Sequence, residues 1–199
     1  MKNFIKITAA LAILAFVSFS FKTIEIATYG IDLEESVIVW KARKVTGAHE
    51  GTVALKSGDL EFTDGVLTGG MFEIDMQTVD CTDLQGEWKD KLVGHLKSDD
   101  FFGVNNYPTA KFVISKVISR GKPGEYKVIG DLTIKETTKE IKFNAMIEDG
   151  GESKTGTANI TIDRSDYDIR YGSGSFFDNL GDKTIYDEFD LEISLVVSK

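Results

Sequence analysis

The chain has 199 residues, 42% of them hydrophobic and 28% charged, with two prolines and a formal net charge of −9. That composition excludes a disordered chain and suits one compact domain with an apolar core. The acidity excludes a nucleic-acid binder, which would draw in phosphates through a surplus of Lys and Arg.

Lys2 and Lys6 precede an apolar run, Ile7 to Phe19, that is too short for a comfortable membrane span. The expectation is a signal peptide over residues 1–20, cut after Ser20 with Ser18 at the −3 position. An uncleaved anchor is the alternative, because Phe21 and Ile24 prolong the apolar character. Cleavage would leave a domain over residues 21–199, periplasmic or secreted, without a stable membrane span and more acidic still for the loss of two lysines. Cys81 is the only cysteine, so no disulfide can form within the chain; a small buried residue is expected there, with pairing between chains left open.

Short strands are expected at Ile24–Tyr29, then around Ile38, Trp40 and Ala42, then at Thr52–Lys56 and Asp59–Thr63 with turns at Ser57-Gly58 and Asp64-Gly65. Period-two alternation continues in Phe72, Ile74 and Met76. It returns in Phe112 and Ile114, and in Val128, Gly130, Leu132 and Ile134. Three later runs are Ile141, Phe143, Ala145 and Ile147; Ala158, Ile160 and Ile162; and Phe189, Leu191, Ile193, Leu195 and Val197. Alternation of this kind makes one apolar and one wet face per strand. The one helical stretch is predicted over Thr82 to Leu96, with Thr82 as N-cap and Leu84, Trp88, Leu92 and His95 or Leu96 on one side. Many short strands with a single helix indicate an all-β sandwich or barrel, between which periodicity cannot choose.

Arg164 to Lys183 breaks the rhythm with Tyr167, Tyr171, Phe176, Phe177 and a Gly172-Ser173-Gly174-Ser175 run. A connection of that length is either a cover for the barrel end or a gate for a ligand. Arg164 and Arg170 would contact an anionic ligand, or else pair with Asp166 or Asp168.

Chemistry-bearing clusters are few. Two histidines, His49 and His95, lack any serine or cysteine in a recognised nucleophile setting. With Asp99 and Asp100 they could supply a zinc or iron site, and hence a small metal-assisted hydrolase or isomerase, although no HExxH or CxxC spacing supports it. Asp99-Asp100 also fits a turn that closes the helix. The aromatic content, 13 Phe, 6 Tyr and 2 Trp, fits either a packed core or an apolar channel. Small inward residues, Ala42, Gly130, Ala145 and Ala158, would leave volume for a guest.

The block Gly94-His95-Leu96-Lys97-Ser98-Asp99-Asp100-Phe101-Phe102, followed by Tyr107-Pro108-Thr109-Ala110-Lys111-Phe112, resembles the YceI-like family. The resemblance continues in Tyr29-Gly30-Ile31-Asp32, in Gly130-Asp131-Leu132-Thr133-Ile134 with Thr138-Lys139, and in Asp163-Arg164-Ser165-Asp166-Tyr167. The chain departs from the family at Glu136-Thr137, where Gly-Val is usual, and at Cys81-Thr82-Asp83, where a Thr-Gly pair is frequent; both are expected in turns. The resemblance implies a lipocalin-like antiparallel β-barrel of about eight strands with one short helix. It also implies a polyisoprenoid or similar long-chain lipid in an apolar channel, and no enzymatic activity or cofactor. The side chains expected to meet that lipid are Trp40, Phe72, Ile74, Phe112, Ile114, Leu132, Phe143, Ala145, Ile160 and Ile193, with Tyr167 and Arg164 from the long connection. The implied partner is an isoprenoid or fatty lipid, with a homodimer left open. A filled interaction module would differ in having no internal tunnel.

Overall fold

The computed structural model describes residues 23–199; the expected signal peptide lies outside them. Nine strands and one helix follow in order: β1 (Ile26–Ile31), β2 (Val37–Lys44), β3 (Gly47–Thr63), β4 (Val66–Cys81), α1 (Gly86–Lys97), β5 (Thr109–Ser119), β6 (Glu125–Ile134), β7 (Thr137–Asp149), β8 (Ser153–Asp163) and β9 (Ile185–Ser198). The strands run β3-β2-β9-β8-β7-β6-β5-β4, and β4 pairs back onto β3 to close the circuit. All pairings are antiparallel. β1 and β2 share one place in the wall. β2 pairs with the first part of β3 and with Ile185–Ser194 of β9, whereas β1 takes over against Asp59–Thr63 and Val197-Ser198. The architecture is therefore an eight-position closed barrel, and closure leaves few open sheet edges.

The alternating runs sit where the period places them, with Ile38, Trp40, Phe72, Phe112, Val128, Leu132 and Ile160 buried. β1 begins at Ile26 rather than Ile24, which is exposed. Ser57-Gly58 is not a turn. β3 runs straight through it as one strand, absorbing the irregularity as a register shift between Leu55 and Ser57 while Gly58 pairs with Phe72. The Asp64-Gly65 turn does form, with both residues at positive φ.

The helix starts later than Thr82. Thr82 extends the β3 ladder, its N–H and its Oγ1 both donating to Glu50 O at 3.0 and 3.3 Å, so it cannot cap. α1 instead follows Gln85, which makes no side-chain cap. Leu84 consequently precedes the helix, and Trp88 is 71% exposed rather than packed inward, with Lys91 Nζ 5.2 Å from its ring centre. Of the family departures, Cys81 ends β4 and Thr137 opens β7 opposite Ile134, so only Glu136 lies in a turn, while Thr82-Asp83 form a bend after β4. The long connection from β8 to β9 is not featureless, holding 3-10 turns at Arg164–Tyr167 and Gly181–Lys183.

Candidate functional site

Inward-facing side chains divide into two groups. Most of those on β3 to β6, such as Leu60, Leu67, Phe72, Phe112 and Val128, are buried, with Ile74 and Ile114 among the half-buried exceptions. Those on β7 and β9, including Ile141, Phe143, Ala145, Ile147, Leu191 and Ile193, point inward yet stay only half-buried. An inward apolar side chain that keeps accessible surface faces empty space. That space is a cavity of about 200 Å³, reaching from Leu60, Leu67 and Leu195 to Leu96, Phe101 and Tyr186, with a lining that is almost wholly apolar.

Of the residues expected to meet a ligand, Trp40, Phe72, Ile74, Phe112, Ile114, Leu132, Phe143, Ala145, Ile160, Ile193 and Arg164 line this cavity. Tyr167 does not. It is 2% exposed behind the wall, and its hydroxyl has no hydrogen-bond partner. Burial, with Asp166 nearby, pushes its pKa up to about 12.

The small residues do not all contribute volume. Ala42, Ala145 and Ala158 line the cavity, but the space beside Gly130 is taken by the Phe112 ring, which would lie 2.5 Å from an added Cβ. Trp40 covers Gly51 in the same way, its ring 2.6 Å from where a Cβ would stand while Nε1 donates to Asp80 O at 3.1 Å. Large rings laid against glycines on the neighbouring strand thicken the wall and leave the lumen open.

Arg164 reaches the cavity end already committed. Its guanidinium donates to Ile169 O, Ile185 O and Tyr186 O at 2.8, 3.0 and 3.3 Å and stands 3.1 Å from Asp187. Burial lowers its pKa, opposed by the Asp187 charge. The expected pairing with Asp166 or Asp168 is thus replaced by Asp187, because the Arg164–Tyr167 turn directs the side chain across the connection; Arg170 does pair with Asp168. Sequence reasoning missed Asp187, which lies 23 positions along the chain in an unremarkable strand start.

The two histidines serve different neighbourhoods. His95 packs its ring 4.2 Å from Tyr171 and 5.7 Å from Phe101, centre to centre, with Nε2 buried and unbonded. Burial holds its pKa below the ordinary value, and Asp100 opposes this. His49 Nδ1 lies 3.0 Å from Asp83 Oδ2, and Asp83 Oδ1 accepts from Cys81 Sγ at 3.0 Å. This chain of cysteine, carboxylate and imidazole has the carboxylate in the middle. It does not favour a thiolate, since the group touching the thiol is an anionic carboxylate and not the imidazole. Burial pushes the Cys81 thiol up, and the bond to Asp83 adds to the rise. Burial alone would also raise Asp83, but the bonds from Cys81, His49 and Glu50 N outweigh it and hold the carboxyl low. Among the described residues no three His, Cys, Asp or Glu side chains gather as a metal centre requires.

A family model described as the YceI-like domain matches residues 29–197. A UPF0312 protein of Pseudomonas putida (strain W619) is 29% identical over 153 residues, spanning 72% of this chain and 77% of the relative. A UPF0312 protein of Photorhabdus laumondii is 35% identical over 101 residues, about half of each chain. Among solved structures, BcnA of Burkholderia cenocepacia superposes with a TM-score of 0.68 at 24% identity, over 83% of this chain and 98% of that one. A polyisoprenoid binding domain from Saccharophagus degradans, implicated in plant cell wall breakdown, gives a TM-score of 0.63 at 14% identity, over 85% and 97%. At these identities the structural likenesses speak for the barrel alone.

Proposed function

The chain belongs to the YceI-like domain family, and from that membership together with the cavity we propose that it binds and carries a polyisoprenoid or similar long-chain lipid. The observation that carries the reading is a lumen lined almost wholly by carbon inside a closed barrel. Such a lining stabilises an apolar chain by about 0.8 kcal/mol per buried CH₂ and offers almost nothing to a polar one. The Saccharophagus domain, named for polyisoprenoid binding, supports the ligand class by analogy. The role is that of a binding protein, not an enzyme. It acts outside the cytoplasm after removal of residues 1–20.

The test is mass spectrometry of organic extracts from natively purified protein, alongside an Ala158→Trp variant that projects a ring into the lumen. Wild type is expected to release a long-chain lipid and the variant to lose it, with the midpoint of delipidated protein unchanged or raised. No lipid in wild type, with a sharply lowered variant midpoint, would overturn the reading, since overpacking a filled core costs about 1–3 kcal/mol.

A further inference from the structure

The barrel wall is not zipped along its whole height. The ladder between β7 and β8 runs from Ala145↔Ala158 to Asp149↔Lys154 and goes no further. In the same register Asn144 would face Asn159, Phe143 would face Ile160 and Ile141 would face Ile162. Instead this part of β7 pairs only with β6, and this part of β8 only with β9. The two strands thus diverge from a fork at Ala145 and Ala158. At the far end Lys139 Nζ meets Asp166 Oδ1 of the 3-10 turn at 3.9 Å, so the unzipped stretch is bounded above and below.

Two observations show what this stretch adjoins. Ala145, Thr157, Ala158 and Ile193 line the internal cavity and also an external groove of about 710 Å³, so lumen and groove meet at the fork. The two residues at the fork itself are alanines, whose short side chains obstruct little. Beyond them the groove is mixed, with Val37, Val39 and Met146 giving apolar surface between Asn144, Asn159, Arg120, Glu125 and Glu192, which suits a chain lying along it with a polar end.

The size of the lumen supplies the second argument. A void of about 150 Å³ holds one benzene, so about 200 Å³ houses a short stretch of an apolar chain. A long chain must continue outside the lumen.

We propose that the unzipped stretch of β7 and β8 is a side portal, through which a long-chain lipid passes laterally so that one part lies in the lumen and the rest in the outer groove. Passage there breaks no ladder hydrogen bonds, whereas entry at any zipped seam would cost several. The proposal rests on the lipid-binding reading and adds the route.

The experiment uses Asn144→Cys with Asn159→Cys in a Cys81→Ser background, bridged across the portal by a short bis-maleimide. Glu148→Cys with Thr155→Cys, bridged the same way on the zipped side of the fork and lining neither lumen nor groove, is the control. The probe is dansyl-labelled farnesol, transferred to and from phosphatidylcholine vesicles. The portal bridge, verified by intact mass, is expected to slow uptake and release by about tenfold or more, and the control bridge to leave them unchanged. Unchanged rates behind a verified portal bridge overturn the portal while leaving lipid binding intact. Failure of unbridged protein to take up the probe overturns the lipid-binding reading, and the portal with it.

Hydrogen exchange on the wild type tests the same point without substitutions. Amides in residues 140–144 and 159–163 are expected to exchange faster than those in 145–149 and 154–158 when the protein is empty, and to slow on loading with the probe. Equal protection across the fork in the empty protein would refute the portal.

Discussion

Arg164 and Asp187 meet 3.1 Å apart at the two ends of the β8–β9 connection, with only 2% and 14% of their side chains exposed. The second Asp187 oxygen accepts from Ser175 Oγ at 2.7 Å, so one carboxylate ties the arginine to the middle of the loop. The 21 residues from Arg164 to Thr184 contain no strand and are held as a cover chiefly by this buried charge pair and the three carbonyls around it.

Removing either partner leaves the other charged and buried. Arg164→Ala or Asp187→Ala is expected to cost about 3–5 kcal/mol in urea unfolding. Arg164→Lys should recover little, because an ammonium cannot reach three carbonyls and a carboxylate from one fork.

The glycines beneath the rings should tolerate no methyl. Gly51→Ala sets a Cβ against Asp80 O and the Trp40 ring, and Gly130→Ala sets one against Phe112. Each is expected to lower stability by about 1–3 kcal/mol. Gly30→Ala, with nothing within 4 Å of the new Cβ, is the comparison and should stay within about 0.5 kcal/mol. Thermal midpoints of the three variants decide it.

His95 should make folding sensitive to mild acid. Its folded pKa lies below the unfolded value of about 6.5 because burial disfavours the charged ring. The unfolded state therefore binds the extra proton first. Stability is complete above pH 6.5, falls as the pH drops through that value, and levels off below the folded pKa. Urea midpoints from about pH 7.5 to 5 should show this slope in wild type, and His95→Phe should reduce it, leaving His49 as the sole histidine.

Cys81 should be inert while the barrel is folded. It is fully buried, its thiol pKa is raised by burial, and its neighbouring acceptor is a carboxylate. Iodoacetamide at mildly alkaline pH is expected to label it only as fast as β4 opens, so labelling should accelerate with urea in step with loss of strand structure. Rapid modification of native protein would refute this burial.

Legibility in the sequence followed the physics of single strands. β2, β7, β8 and β9 carry one wet and one apolar face, and period two alone placed Trp40, Phe143, Ile160 and Ile193 on the cavity side. β3 was harder, since Ser57-Gly58 reads locally as a turn, and only its partner strand, with Phe72 seated on Gly58, turns it into a bulge. Thr82 had the chemistry of a cap, but tertiary pairing with Glu50 used it first. The Arg164–Asp187 pair and the fork at Ala145 and Ala158 had no local signature. Both depend on which strand lies beside which, and the β7 sequence alternates unchanged through the point where its pairing with β8 ends.

The seam of the barrel joins the beginning of the described chain to its end. β9 hydrogen-bonds to β1, β2 and β8, so one place in the wall stays vacant until the last residues arrive. Contacts this distant along the chain slow folding, because loop closure must come before any gain from pairing. No smaller barrel can form in the meantime, for every earlier fragment presents bare edges on β2 and β8. The chain therefore remains threadable until β9 is in place, and it commits to a closed shape only then.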